Sequence, residues 1–488
     1  MVRPARLLLL LFYVGGMCAL VMLLSPGTLP LVEELDMKVF TYADVIESPE
    51  PKADISEVLA LEEQIDSMEE ASVAVDVVSD TGKMYFENVD KSRAESRHPI
   101  LFPSENANAL SNFYASLRTL SGEDQLIRIL HFGDSQLEGD RISDYLRNRL
   151  QKRFGGCGVG LVPVSYPNGA GGPVVQKASD NWVEYRSYGL ERKQPVHKNY
   201  GLLGSYFKLH ENGSAPAEAP YRAAVSYSRT GYVYKRFNVV EKIKVLYRNQ
   251  REPLVMKYAV NDGKIQKDSL PASGDLSIKT LYLNGDFRKI DFEFESRGNP
   301  DVYGVAFDCN RGIALDNIPM RGSSGLEFTQ IARSFLREQL QKLQVKLVIV
   351  QFGVNVVPAQ AESYGFYEYS LKRQLQHIKS AAPDVSVLVV GVSDMARKKG
   401  TSFESYPNIP KIREAQKNAA FATGCAFWDL YKAMGGKNSM SSWVNADPPM
   451  ASTDYTHFTR RGARIVGEML YNELMYEYEQ YKKQMRNL

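Results

Sequence analysis

The chain is poor in the residues that build covalently or metal-stapled scaffolds. Four cysteines in 488 residues are too few for a disulfide-dense fold. None stands in a C-x-x-C pair, which excludes a cysteine-paired zinc module. Six histidines leave little material for a multi-histidine metal site. No G-x-x-x-x-G-K-[ST] segment occurs, so a P-loop nucleotide site is excluded. No repeat of fixed period recurs, which argues against a solenoid. No aromatic-plus-basic module of the nucleic-acid-binding kind stands out. What is present is a globular composition, 44% hydrophobic and 24% charged. That is enough to bury a sizeable core and is incompatible with a fully disordered chain. The length corresponds to a prior of about three domains.

The net charge of +2 conceals an asymmetry. Residues 33–97 hold 18 acidic and 6 basic side chains, whereas the chain beyond Arg97 carries a net of +12. A basic body suits an anionic polymer such as a wall glycan or a nucleic acid. A soluble domain with surplus Lys and Arg reads the same way. At the N-terminus, Arg3 and Arg6 precede an uncharged run from Leu7 to Leu24. Its length is at the lower limit of a spanning helix, about 17–25 residues. With no A-x-A-like cleavage site before Pro26, the run reads as a retained signal anchor rather than a cleaved signal peptide. The basic flank puts the short tail in the cytoplasm and the body outside. Either reading exports the body. There Cys157, Cys309 and Cys425 allow one pair plus a free thiol, or three buried thiols.

The pattern divides the chain into an anchor (1–25), an acidic stalk or linker (26–98) with some helix around Ile55–Glu70, and an ordered body. The body starts as α/β. Gln125–Phe132 reads as a strand ending at Gly133. Asp140–Phe154 carries Ile142, Tyr145, Leu146, Leu150 and Phe154 at helical offsets. Residues 165–316 change character: short Tyr/Val/Phe-rich runs alternate with turn signals such as Asn261-Asp262-Gly263, as in an all-β sandwich. From 317 to 488 the α/β pattern returns. Val345–Phe352 and Val385–Val392 are near-continuous apolar runs, expected of parallel strands covered on both faces. A helix is expected between them at Tyr364–Lys379, a short strand at Cys425–Leu430, and a closing helix at Arg460–Lys482 with Thr459 as N-cap.

Three segments carry candidate chemistry. Ser135, in Gly133-Asp134-Ser135-Gln136, lies where a strand ends and a helix begins, a place that exposes a hydroxyl and favours negative charge. Asp454-Tyr455-Thr456-His457 precedes the last helix. A carboxylate three residues ahead can hold the imidazole tautomer and leave the other nitrogen to a serine. Gly322 in Arg321-Gly322-Ser323-Ser324-Gly325 can present a backbone N–H, and Asn355 an amide, to a developing oxyanion. Each feature alone also reads as a turn, a cap or a loop glycine. Ser135, Asn355 and His457 each follow a predicted strand of one α/β unit, and strand carboxyl ends form the ligand crevice of such sheets.

In this order the segments resemble the SGNH (GDSL-type) hydrolases. Gly133-Asp134-Ser135-Gln136 resembles the first block, Gly322 the block-two glycine, Gly353-Val354-Asn355 block three, and Asp454-x-x-His457 the fifth. Val356 departs from the usual G-x-N-D of block three. The resemblance covers roughly 101–164 and 318–487. The layout is similar to that of peptidoglycan O-acetylesterases, in which a β-sandwich resembling a carbohydrate-binding module interrupts the hydrolase. The glycine-rich run Phe154–Leu161 fits that branch too. The resemblance implies a three-layer, flavodoxin-like parallel sheet with a jelly-roll-like insertion. It implies a Ser135–His457–Asp454 triad, an oxyanion hole of Gly322, Asn355 and the Ser135 N–H, no cofactor or metal, and an acetylated glycan as substrate. Two other functions fit the same residues: an O-acetyltransferase fed by a membrane acetyl donor, and a non-catalytic glycan-binding protein. Trp443 is a candidate sugar-site or packing residue, His131 a packed one, and Asn212-Gly213-Ser214 a glycosylation sequon.

Overall fold

In the computed structural model the described residues are 11–18, 20, 28–32, 35–38, 52–76, 98–120, 124–166, 171–189, 193–211, 220–231, 234–284 and 287–486. Five parallel strands make the central sheet: β1 (Leu126–Gly133), β2 (Gly312–Pro319), β3 (Val345–Gln351), β4 (Ser386–Val390) and β5 (Ala426–Trp428). Their spatial order is β2-β1-β3-β4-β5. This is the flavodoxin-like order, whose direction reverses between β1 and β3. β1 and β4 are buried along their whole length and β3 nearly so. Their Val/Ile/Leu-rich runs follow from being covered on both faces.

The covering helices used below are α1 (Ser56–Asp76), α2 (Ser143–Phe154), α3 (Arg333–Lys342), α4 (Gly365–Ala381), α5 (Ile409–Phe421) and α6 (Arg460–Arg486). Alternate residues of a strand face opposite sides. Accordingly Ile127, Ile129, Leu347 and Leu388 pack against α1, α2 and α6. Phe132, Val348, Val350 and Val387 pack against α3, α4 and α5.

α1 lies within the stretch expected to be a linker. It buries Val58, Leu61 and Ile65, one helical turn apart, in the core. Glu62 pairs with Arg461, and Asp66 with Arg464 at 2.5 Å. An acidic outer face hides this narrow apolar stripe in the sequence, so residues 52–67 are docked on the body rather than a free stalk. Among the described residues no helix is long and apolar enough to cross a membrane. Residues 7–10, 19 and 21–24 of the expected anchor lie outside the described residues, as does the 212–214 sequon.

Between α2 and β2 the chain builds two antiparallel sheets. One is ordered Gln266–Leu270, Leu254–Val260, Lys289–Ser296, Tyr221–Arg229, Val174–Ala178. The other is ordered Ser273–Tyr282, Lys242–Asn249, Asp301–Asp308, Ser205–Lys208, Val183–Arg186, with Gly160–Val162 also paired to Asp301–Asp308. Alternation is clean where one face meets the core: Ile290, Phe292 and Phe294 are buried between half-buried neighbours. The sandwich reaches further forward than residue 165, to Gly160, and stops at Asp308 rather than 316. β2 belongs to the parallel sheet. Its sequence, GIALDNIP, straddles the expected boundary at 316, and its polar Asp316 and Asn317 sit in the middle of the strand. Both are buried with partners: Asp316 accepts the Leu161 N–H at 2.9 Å, and Asn317 donates to the Leu137 carbonyl at 3.0 Å.

The two parts are fastened where the chain crosses between them. Cys157 and Cys309 form a disulfide, with Cα atoms 5.0 Å apart, and Cys425 is a buried thiol. The glycines around Cys157 exist for close approach. A Cβ on Gly156 would lie 2.3 Å from the Ile313 carbonyl oxygen, and one on Gly158, at φ +72°, 2.1 Å from that of Phe307. Beside them the fully buried Arg128 of β1 bridges Asp308 of the sandwich and Asp316 of β2. Removing one partner of a buried ion network strands the others. Arg128→Ala is expected to lower unfolding stability by about 3–5 kcal/mol, read from urea denaturation. A loss smaller than about 1 kcal/mol would show that the bridge does not hold the joint.

Candidate active site

β1 ends at Gly133, where a Cβ would lie 2.8 Å from the Gln351 carbonyl oxygen, so only glycine fits. The buried Asp134 carboxylate follows. It accepts the Gln136 N–H at 3.0 Å and the Gly353 N–H at 3.1 Å, tying the β1 and β3 exits together. Burial pushes this carboxyl up to about 6, against the opposing pull of those bonds. Ser135 then opens a short 3₁₀ turn, Ser135–Asp140.

The histidine reaches this point by a longer route than a strand exit. After β5 the chain runs through the short helices Leu430–Ala433 and Ser439–Val444, and an Ala451–Phe458 bridge closes the turn. Thr459 caps α6, its hydroxyl accepting the Gly462 N–H at 3.3 Å. Ser135 Oγ lies 2.7 Å from His457 Nε2, and His457 Nδ1 lies 2.7 Å from Asp454 Oδ2. Asp454 Oδ1 also accepts the N–H groups of Thr456 at 2.9 Å and His457 at 3.0 Å. Burial pushes the Asp454 carboxyl up, but these bonds outweigh it and hold the group below its ordinary value. A carboxylate at Nδ1 keeps the proton on that nitrogen and leaves Nε2 to accept the serine proton. Tyr455, inside the turn, takes a left-handed φ of +55°. Its ring stacks on Phe403 at 3.6 Å and 4°, and its carbonyl accepts the Ala396 N–H at 3.0 Å.

Two side chains without a role in the sequence reading join the serine and histidine turns. Gln136 Nε2 donates to the Thr456 carbonyl at 2.7 Å, and its Oε1 accepts the Phe458 N–H at 3.3 Å. Arg141 donates to the carbonyls of Ser135 at 2.7 Å and Phe458 at 3.2 Å. Gln136 stands in the first motif, but nothing there shows which turn it binds, and no pattern marks Arg141.

Gly322 and Asn355 follow β2 and β3, which flank β1 with Pro319 and Gln351 in register with Gly133. Gly322 has φ +78° and open space where a Cβ would stand. The Asn355 amide donates to the Ser323 carbonyl at 2.9 Å, which leaves its second N–H for another acceptor. His131 is fully buried between Gln351 and Ser143. Trp443 is fully buried and donates to the Met434 carbonyl at 3.0 Å, so it packs the core and lines no sugar site. Among the described residues no cluster of His, Cys, Asp and Glu could hold a metal ion.

Residues 293–465 match the GDSL-like Lipase/Acylhydrolase family, a segment that contains Gly322, Asn355, Asp454 and His457 and starts after Ser135. Among solved structures, a peptidoglycan O-acetylesterase superposes with a TM-score of 0.60 at 19% identity, covering 76% of this chain and 98% of its own. A family two carbohydrate esterase from Clostridium thermocellum also matches, with a TM-score of 0.24 and 9% identity over 61% of this chain and 99% of its own. So does an acetyl xylan esterase, with a TM-score of 0.26 and 17% identity over 33% of this chain and 80% of its own. Neither of these two scores bears on the fold. No curated protein matches the sequence. Residues 293–465 thus resemble a GDSL-like acylhydrolase, and the fold is the one seen in the peptidoglycan O-acetylesterase structure.

Gln136→Ala strips partners from Thr456 and Phe458 around the histidine. It is expected to cost about 1–3 kcal/mol in urea unfolding, the penalty for stranded buried polar groups. The same variant should lose ester turnover more than substrate affinity, seen as a fall in kcat at nearly constant KM. A KM effect alone would place Gln136 in substrate binding instead.

Proposed function

We propose that this chain is an exported, membrane-anchored serine esterase that removes O-acetyl groups from an envelope glycan such as peptidoglycan. The observation that carries the reading is the Ser135–His457–Asp454 chain of hydrogen bonds, 2.7 Å at each of its two side-chain links. His457 Nε2 takes the Ser135 proton as Oγ attacks the acetyl carbonyl. Asp454 holds Nδ1–H and stabilises the imidazolium. The tetrahedral oxyanion is met by the N–H groups of Ser135 and Gly322 and the free N–H of the Asn355 amide. Collapse breaks the bond to the sugar oxygen, which takes the proton from Nε2, departs as the free hydroxyl and leaves acetyl-Ser135 behind. Water, deprotonated by His457, then attacks the acyl-enzyme and releases acetate and the free serine.

The acetyl group and the glycan are supported by the O-acetylesterase whose fold this chain shares. The inserted sandwich, spliced into the chain between α2 and β2, is the element that would hold a polysaccharide. Export is supported by the apolar run behind Arg3 and Arg6 and by the Cys157–Cys309 bridge, since disulfides persist in oxidising compartments.

The test is acetate release from O-acetylated peptidoglycan by the purified protein. Ser135→Ala is expected to lower kcat by about 10⁴-fold or more, and Asp454→Asn by about 10³–10⁴-fold, with folding unchanged by circular dichroism. Full activity in Ser135→Ala would overturn the reading. Acetyl groups recovered on a second sugar rather than as free acetate would identify a transferase.

A further inference from the structure

Beside the His457 turn stands a two-stranded hairpin, Ala396–Lys399 paired with Ser402–Ser405, that the chemistry above does not use. It carries three consecutive cations, Arg397-Lys398-Lys399. Its register pairs Arg397 with Glu404 and Lys398 with Phe403, and residues paired across a hairpin share a face. The Arg397 face is compensated internally: Glu404 lies 3.7 Å from Arg397 and 3.3 Å from Lys399, and Arg397 donates to Gln360 at 2.6 Å.

The Lys398 face differs. Phe403 on that face stacks on Tyr455, between Asp454 and His457, and the Ala396 N–H binds the Tyr455 carbonyl. At about 3.3 Å per strand residue, Lys398 lies about 7 Å beyond that anchor point. It is exposed, and among the described residues no carboxylate lies within 4.0 Å of its ammonium. The other cations at the rim are already engaged: Arg321, next to Gly322, pairs with Glu138 at 3.2 Å, and Arg460 with Asp144 at 3.5 Å. The hairpin thus puts an uncompensated positive charge and a stacked aromatic pair beside the catalytic turn, on a body whose charge beyond Arg97 is strongly positive.

We infer that Lys398 and the Phe403–Tyr455 stack form an anion-selective subsite, which takes a carboxylate or phosphate carried by the glycan next to the acetylated sugar. A sugar face lies on the aromatic pair while the ammonium meets the anionic substituent. The subsite selects acidic over neutral acetylated glycans. It rests on the esterase reading for its role but not for its binding.

The experiment compares wild type, Lys398→Ala, Lys398→Glu and Lys398→Arg on four acetyl esters: a carboxylated glycan, the same glycan after carboxyl reduction, a phosphate-bearing glycan, and 4-nitrophenyl acetate. Relative to 4-nitrophenyl acetate, Lys398→Ala is expected to lower kcat/KM on the acidic glycan about fivefold, mostly through KM. Lys398→Glu should lose more and Lys398→Arg little. The difference should vanish on the carboxyl-reduced glycan and in about 0.5 M salt. Loss on only one acidic glycan assigns the anion to carboxylate or to phosphate. Equal loss on acidic and neutral glycans, or none on either acidic glycan, overturns the inference. A binding arm in the Ser135→Ala background separates the two readings. Weaker calorimetric affinity of Lys398→Ala for the acidic glycan, in a protein whose wild type releases no acetate, upholds the anion subsite and sinks the esterase. Acetate release without any charge dependence does the reverse.

Discussion

Ser135 and His457 are 322 residues apart, and the centre exists only while their two turns stay in register. Gln136 and Arg141 supply that register. Between them they bind the main chain of Ser135, Thr456 and Phe458, so each turn is held by the other as well as by its own loop. Asp134 does the same between β1 and β3 through the Gly353 N–H. Buried polar groups must find partners, and here the partners are chosen across elements. A network of this kind is stiff, because no member can leave without stranding another.

How much of this could be read from the sequence depends on how each residue encodes its role. β3 and β4 announce themselves because strands covered on both faces must be apolar throughout. The sandwich shows in its period of two and its turn residues. Ser135, Asp454, His457, Gly322 and Asn355 come in short local motifs, and the structure places the first three within hydrogen-bonding reach. The misread pieces are those whose environment is set at long range. β2 passes for the end of the sandwich because its polar Asp316 breaks the apolar run, and Arg128, distant in sequence, is what partners it inside the parallel sheet. α1 passes for a linker because its three buried residues sit in an acidic helix whose charges are answered from α6. Gln136 and Arg141 follow no spacing rule, since their partners are carbonyls and N–H groups that every residue has. Trp443 could face either a sugar or the core, and burial alone decides it.

Charge divides the same way. Inside, Arg128 and Arg147 are matched to buried carboxylates, Arg147 against Asp140 at 2.7 Å. Such pairs select one arrangement of elements more than they add stability. At the rim, where water screens charge, Arg321 and Arg460 are paired and Lys398 is exposed.

The disulfide has a meaning for descent as well as for rigidity. Because Cys157 and Cys309 bring the two crossings side by side, the sandwich is a cassette spliced at a single point on the parallel-sheet body. A segment with adjacent ends can be gained, lost or exchanged in one genetic event without rethreading the host fold. The body can therefore keep the Ser135–His457 register while such a cassette is exchanged.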